Sequence, residues 1–143
     1  MEKEVHLGRK INILDKRIHR AIDKEASKYG ITGVQGRILG FITHNSKNRD
    51  IFQKDIEEEL DIRRSSVTSV LQLMEKNGFI ERVSVSEDAR LKKLIITEKG
   101  AKIQKSIYNF ISNFEKSFSD ELSEAEMNMF ISLLDRLSNK ISE

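Results

Sequence analysis

The stretch from Phe52 to Thr97 switches from helical to strand periodicity partway along, and few folds tolerate that order. Ile56 and Leu60 stand one helical turn apart and predict a short helix over about 53–60. Asp61-Ile62 makes a tight break. Val67, Val70, Leu71 and Met74 then recur at spacings of three and four, which predicts a longer helix over 64–77, closed by Gly78. From Phe79 the pattern becomes a mixed apolar and polar alternation with β-branched residues. Residues 79–85 and 91–96 read as strands, joined into a hairpin by Ser86-Glu87-Asp88-Ala89-Arg90.

The chemistry of this stretch sits on the second helix and the hairpin. The outward residues of that helix's first two turns are Arg64, Ser65, Ser66, Thr68, Ser69 and Gln72. Small side chains permit close approach, and Ser, Thr, Gln and Arg can reach base edges or phosphates in a major groove. The positive end of the helix dipole also favours phosphate. Taken alone, the same residues read equally well as an exposed helix weakened by Ser and Thr. The hairpin tips the balance. Arg90, Lys92 and Lys93 are predicted together near its tip, where an arginine can enter a narrow minor groove. Asp88, two residues earlier, can hold that guanidinium by a charge-assisted hydrogen bond. A helix pair followed by such a hairpin is a winged helix-turn-helix, and its expected partner is double-stranded DNA.

Net charge contributes little to that expectation. The chain of 143 residues has 25 basic and 23 acidic residues, a net charge of +2. Residues 46–93 hold ten of each sign. The acidic ones cluster on the first helix of the pair, while Arg63, Arg64, Arg90, Lys92 and Lys93 fall where DNA would lie. Segregation of charge, rather than its total, supports a polyanionic partner.

The flanks predict helices as well. Ile11, Leu14, Ile18, Ala21 and Ile22 form one stripe within 4–28, ended by Gly30. Thr32 is the expected N-cap of a helix over 33–44 with Val34, Ile38, Phe41 and Ile42 on its stripe. Thr97 is expected to cap a helix over 98–119 bearing Ile103, Ile107, Phe110, Ile111, Phe114 and Phe118. Ser123 and Glu126 form a capping box before a last helix over 124–141, with Met127, Phe130, Ile131, Leu134, Leu137 and Ile141. The fold class is therefore mainly α with a small β-hairpin wing. The expected organisation is a single domain, 1–143, with a winged helix-turn-helix at 30–97. The terminal helices, 4–28 and 98–143, either pack on their own subunit or form a dimer core. Dimerisation is the preferred reading, because a symmetric reader needs two heads roughly 34 Å apart.

Several function classes fall away. The chain has no Cys, which removes disulfides, thiolate catalysis and Cys-ligated metals. No run approaches the length of a membrane span, so a soluble cytoplasmic protein is expected. No nucleophile elbow, phosphate-binding glycine loop or metal-spaced histidine motif appears, so an enzyme is not expected. Nor is a metal or cofactor, because His6, His19 and His44 are too few and too scattered for a zinc site.

Asp88-x-Arg90, followed by Leu94-Ile95-Ile96-Thr97-x-x-Gly100, resembles the wing signature, second wing strand and helix start of the MarR family of winged-helix transcription regulators. The run Val67-Thr68-x-x-Leu71-x-x-Met74-Glu75-Lys76-Asn77-Gly78-Phe79-Ile80 is similar to that family's recognition helix and its exit into the wing. The resemblance covers nearly the whole chain. It implies an obligate homodimer with interlocked terminal helices, acting on a palindromic operator. It implies that Arg64, Ser65, Ser66, Thr68, Ser69 and Gln72 face the major groove and that Arg90 enters the flanking minor groove. It also implies a repressor released by a small-molecule effector, for which Arg17, His19 and Arg37 mark one polar neighbourhood. Three positions depart from the family pattern. Arg63 stands where a Ser or Asp cap is usual and exchanges that cap for a phosphate contact, Phe52 replaces a capping Ser or Thr, and Glu57 replaces a small residue. The competing expectation is a winged-helix module that binds protein instead of DNA. Such a module should expose aromatics on the recognition face, where this chain has Ser, Thr, Gln and Arg.

Overall fold

Capping residues and glycines punctuate the chain into helices and one hairpin, in a computed structural model that describes residues 4–85 and 88–142. The order is α1 (Leu7–Ser27), α2 (Gly33–Asn45), α3 (Gln53–Leu60), α4 (Arg64–Lys76), β1 (Ile80–Val85), β2 (Asp88–Ile96), α5 (Glu98–Glu121) and α6 (Glu124–Lys140). Three helices end by the same device. Gly30 at φ +73°, Gly78 at φ +80° and Asp61 at φ +51° take the left-handed conformation. The next residue's N–H then reaches back to a carbonyl of the last turn: Ile31 to Ala26, Phe79 to Met74 and Ile62 to Glu57.

The chain divides between Tyr108 and Asn109 into two compact units. In the first, α1 packs on α2, α3 on α4, α2 on β2, and α4 on β1. Ile22, Ala26, Ile38, Leu39, Ile42, Ile51, Ile56, Val67, Leu71, Met74, Ile80, Leu94 and Ile107 fill its core. The predicted stripe of α1 is buried only at its C-terminal end. Ile22 is enclosed, Ile18 and Ala21 are half-buried, and Ile11 and Leu14 are each 43% exposed. The second unit carries the end of α5 and all of α6. Phe110, Phe114 and Phe118 stack in series along α5, with ring centroids 6.0 and 5.1 Å apart. The Ser123–Glu126 capping box is formed, and α6 buries no residue.

The start of β2 differs from expectation, and α3 begins where expected but by an unexpected cap. The hairpin connection is shorter than predicted, because β2 begins at Asp88 rather than Leu91. Its ladder pairs Ser84 with Lys92 but Val85 with Asp88, so the strand bulges across 89–91. Ser86 and Glu87 of the predicted turn lie outside the described residues. Phe52 begins α3 without a capping side chain, and Asp55 makes up for it from the third helical position. Asp55 Oδ2 accepts from the Phe52 N–H at 2.8 Å, and Oδ1 pairs with Arg49 at 2.9 Å.

Burial pushes the Asp55 carboxyl up, but the Phe52 N–H and the Arg49 guanidinium together outweigh it and hold its pKa below the usual value. A lowered folded pKa means stability that is present above the unfolded value and lost as pH falls through the folded one. Asp55→Asn should therefore destabilise the protein by about 1 kcal/mol at pH 7. The gap from wild type should close below about pH 4. Thermal melts of both proteins across that range check this, and a gap independent of pH would refute it.

Candidate nucleic-acid interface

Helix α4 splits cleanly into two faces. Val67, Leu71 and Met74 are buried against the core, while Arg64, Ser65, Ser66, Ser69 and Gln72 are exposed. Arg63 occupies the N-cap without a side-chain cap bond. Thr68 belongs to neither face. It is half-buried, and its hydroxyl donates to the Arg64 carbonyl at 2.9 Å and accepts from Gln53 Nε2 at 2.7 Å. Its side chain thus fixes α3 against α4 instead of standing free at the surface. Ser69 Oγ donates to the Ser65 carbonyl at 3.2 Å, which lightly anchors a second of the predicted polar residues.

The hairpin separates its three cations. The Arg90 side chain, on the bulge, is 95% exposed. The Asp88 carboxylate accepts from the Arg90 backbone N–H at 3.0 Å and lies 3.6 Å from its Nε. Asp88 therefore holds the backbone that carries Arg90 more firmly than the guanidinium itself. Lys93 does not join Arg90 and Lys92 at the tip. It pairs with Val83 in mid-ladder and turns toward Asp50, at 3.8 Å. Strand alternation separates Lys92 from Lys93, since neighbouring side chains point to opposite faces.

Arg64, Arg90 and Lys92 meet across an open concavity of about 590 Å³, in the first unit. Phe52, Gln53, Lys54, Glu57, Thr68, Arg82, Leu91 and Leu94 complete its wall. Five cations face a single carboxylate there, although residues 46–93 as a whole are neutral. Ser65, Ser66, Ser69, Gln72, Asp88, Lys93 and Arg63 lie outside this lining. Lys54, Gln53 and Arg82 are additions to the residues singled out from the sequence. Arg82 alone has a signal, because β1 alternates and its partner across the ladder is the buried Leu94. Two further concavities, of about 600 and 450 Å³, lie beside Thr97–Ile103 and against Met129, Phe130 and Leu133. Arg17, His19 and Arg37 line none of these three.

The histidines are dispersed. His6 lies 3.8 Å from Glu4, His19 Nδ1 is bonded to the Asp15 carbonyl at 2.8 Å, and His44 packs on the Tyr108 ring. No cluster of metal-ligating side chains occurs among the described residues. None of the described helices is long and apolar enough to cross a membrane.

The chain is similar to known proteins in sequence and in fold. A family model described as the MarR family matches residues 29–91. A proposed transcriptional regulatory protein for the hcr operon of Thauera aromatica is 30% identical over 111 residues, 78% of this chain and 67% of that protein. The chain spans between 51% and 75% of the length of the curated relatives it matches. The crystal structure of the transcription regulator MarR from Oenococcus oeni PSU-1 superposes with a TM-score of 0.83 at 29% identity, covering 94% of this chain and 99% of that one. The S. aureus MepR–DNA complex gives a TM-score of 0.89 at 21% identity, covering 97% and 100%, a likeness of fold alone.

Proposed function

The chain belongs to the MarR family, and from that premise we propose that it is a homodimeric, sequence-specific DNA-binding transcriptional regulator. It acts as a repressor on a palindromic operator and is released by a small-molecule effector. Such a protein works beside the chromosome, in the cytoplasm. The observation that carries this reading is the cationic concavity between Arg64 of α4 and Arg90 and Lys92 of the hairpin. It lies beside the exposed Ser65, Ser66, Ser69 and Gln72. Short polar side chains at a helix start suit a major groove, and an exposed arginine on a bulged hairpin suits the adjoining minor groove. Its relative for the hcr operon and the MepR–DNA complex support the same reading.

Selection of bound sequences from a pool of random duplexes tests it. A two-fold symmetric site is the expected product, with half-sites about one helical turn apart. Recovery of no enriched duplex would favour the protein-binding alternative. Arg90→Ala should weaken operator binding by about 1–3 kcal/mol. The substitution should leave the melting temperature unchanged, because the side chain is almost fully exposed. Equal affinity of variant and wild type over a salt series would remove the hairpin from the interface.

A further inference from the structure

Arg82 is enclosed by the fold yet underbonded, a costly placement for a cation. It enters from β1, opposite Leu94, and its side chain is only 20% exposed. Its Nε and Nη2 are buried and make no hydrogen bond among the described residues. The Glu75 carboxylate stands 3.9 Å from Nε, beyond hydrogen-bond reach, and is itself 46% exposed. A guanidinium carries five donors in a planar fork, and enclosing them unsatisfied is costly. A distant, half-solvated carboxylate repays little of that cost. Nη1 is the guanidinium nitrogen not among these buried atoms, and Arg82 is part of the concavity wall. Lys54, Arg64, Arg90 and Lys92 share that wall with Glu57 as its carboxylate. A guanidinium edge at the wall of a net-positive concavity is suited to an anionic oxygen.

We propose that Arg82 and this concavity seat a phosphodiester of the bound duplex. The proposal rests on the DNA-binding reading above. The seat lies between Arg64 on the recognition helix and Arg90 on the hairpin, so the strand passing from one groove to the next crosses it. The incoming phosphate is met by Nη1, the nitrogen of Arg82 outside the buried pair, and docking the backbone there sets how deeply both readers enter. Free inorganic phosphate shares the same chemistry. The duplex is favoured because the two arginines offered to the grooves, Arg64 and Arg90, both line the seat.

The test uses the full chain as wild type, Arg82→Met and Arg82→Lys. Fluorescence anisotropy follows binding to a labelled random-sequence duplex over a salt series, and melts are run with and without millimolar phosphate. Arg82→Met should bind about tenfold more weakly. Its plot of log affinity against log salt should be shallower by about 0.9, the share of one phosphate. It should melt no lower than wild type, since it deletes an unsatisfied cation, and Arg82→Lys should keep the wild-type slope. Equal affinity and slope for Arg82→Met would overturn the seat while leaving duplex binding intact. Absence of salt-dependent binding by the wild type would overturn the seat and the DNA reading together. Phosphate stabilising the wild type but not Arg82→Met, with duplex binding equal, would overturn the duplex as occupant. Lower melting of both variants would assign Arg82 a packing role and overturn the proposal.

Discussion

Gly100→Ala is expected to destabilise the protein by about 3 kcal/mol or more, among the larger effects of adding one methyl group. A Cβ at Gly100 would lie 2.2 Å from the Phe79 carbonyl oxygen, 3.1 Å from its carbon and 3.0 Å from Ile96 Cγ1. None of these can step aside cheaply. The Phe79 carbonyl already accepts from the Thr97 N–H at 3.1 Å. Thr97 Oγ1 donates to the Gly78 carbonyl at 2.6 Å and accepts from the Gly100 N–H at 3.0 Å. These bonds tie the exit of α4 to the start of α5, so displacing Phe79 loosens both. Helix propensity alone would favour alanine by about 1 kcal/mol, and the clash reverses that sign. Gly40→Ala in α2 is the control: a Cβ there would meet nothing within 4 Å, so the variant should gain up to about 1 kcal/mol. Urea midpoints at one protein concentration decide the matter, and a Gly100→Ala midpoint equal to wild type would contradict this packing.

The second large effect concerns assembly. On the dimer reading, Phe130→Glu combined with Leu137→Glu is expected to leave the protein monomeric. Helix α6 buries none of its residues, and Met129, Phe130, Ile131, Leu133 and Leu137 are each at least 40% exposed. Phe130, Leu134, Leu137 and Ile141 recur along one stripe, as the face of a helix that packs on another does. A short amphipathic helix draws most of its stability from packing, and a second copy of the chain supplies the missing surface under the dimer reading. Two linked heads gain effective concentration, so the variant should lose about 10²–10⁴-fold on a two-half-site duplex and little on a single half-site. Light scattering at micromolar protein gives the mass directly. A variant that remains dimeric would move the interface away from α6.

Much of the fold is legible in the sequence because its signals are local. Thr32, Ser123, Gly30 and Gly78 act on residues within one turn, and the helices they bound start and stop within three residues of expectation. Arg64 and the exposed serines of α4 are legible for the same reason, since one buried stripe assigns the opposite face. The cap at Phe52 is not legible, because its acceptor, Asp55, is set in place by Arg49 from the preceding loop. Thr68 passes for a surface residue in the sequence because its partner, Gln53, lies fifteen positions away on another helix. Lys93 stands beside Lys92 in sequence, but strand alternation parts them, and its partner Asp50 is equally remote.

The order of helices and hairpin, the polar face of α4 and the family signature are readable from the amino acids alone. Each follows from periodicity, capping or a short motif, all carried by neighbouring residues. It takes the folded chain to bring Arg82, Lys54 and Gln53 to Arg64, Arg90 and Lys92 around one concavity. Their approach depends on hairpin register and on how α3 lies against α4, contacts between residues far apart in the chain. The bulge that sets Arg90 outward has the same origin, because a shift in pairing is a property of two strands together.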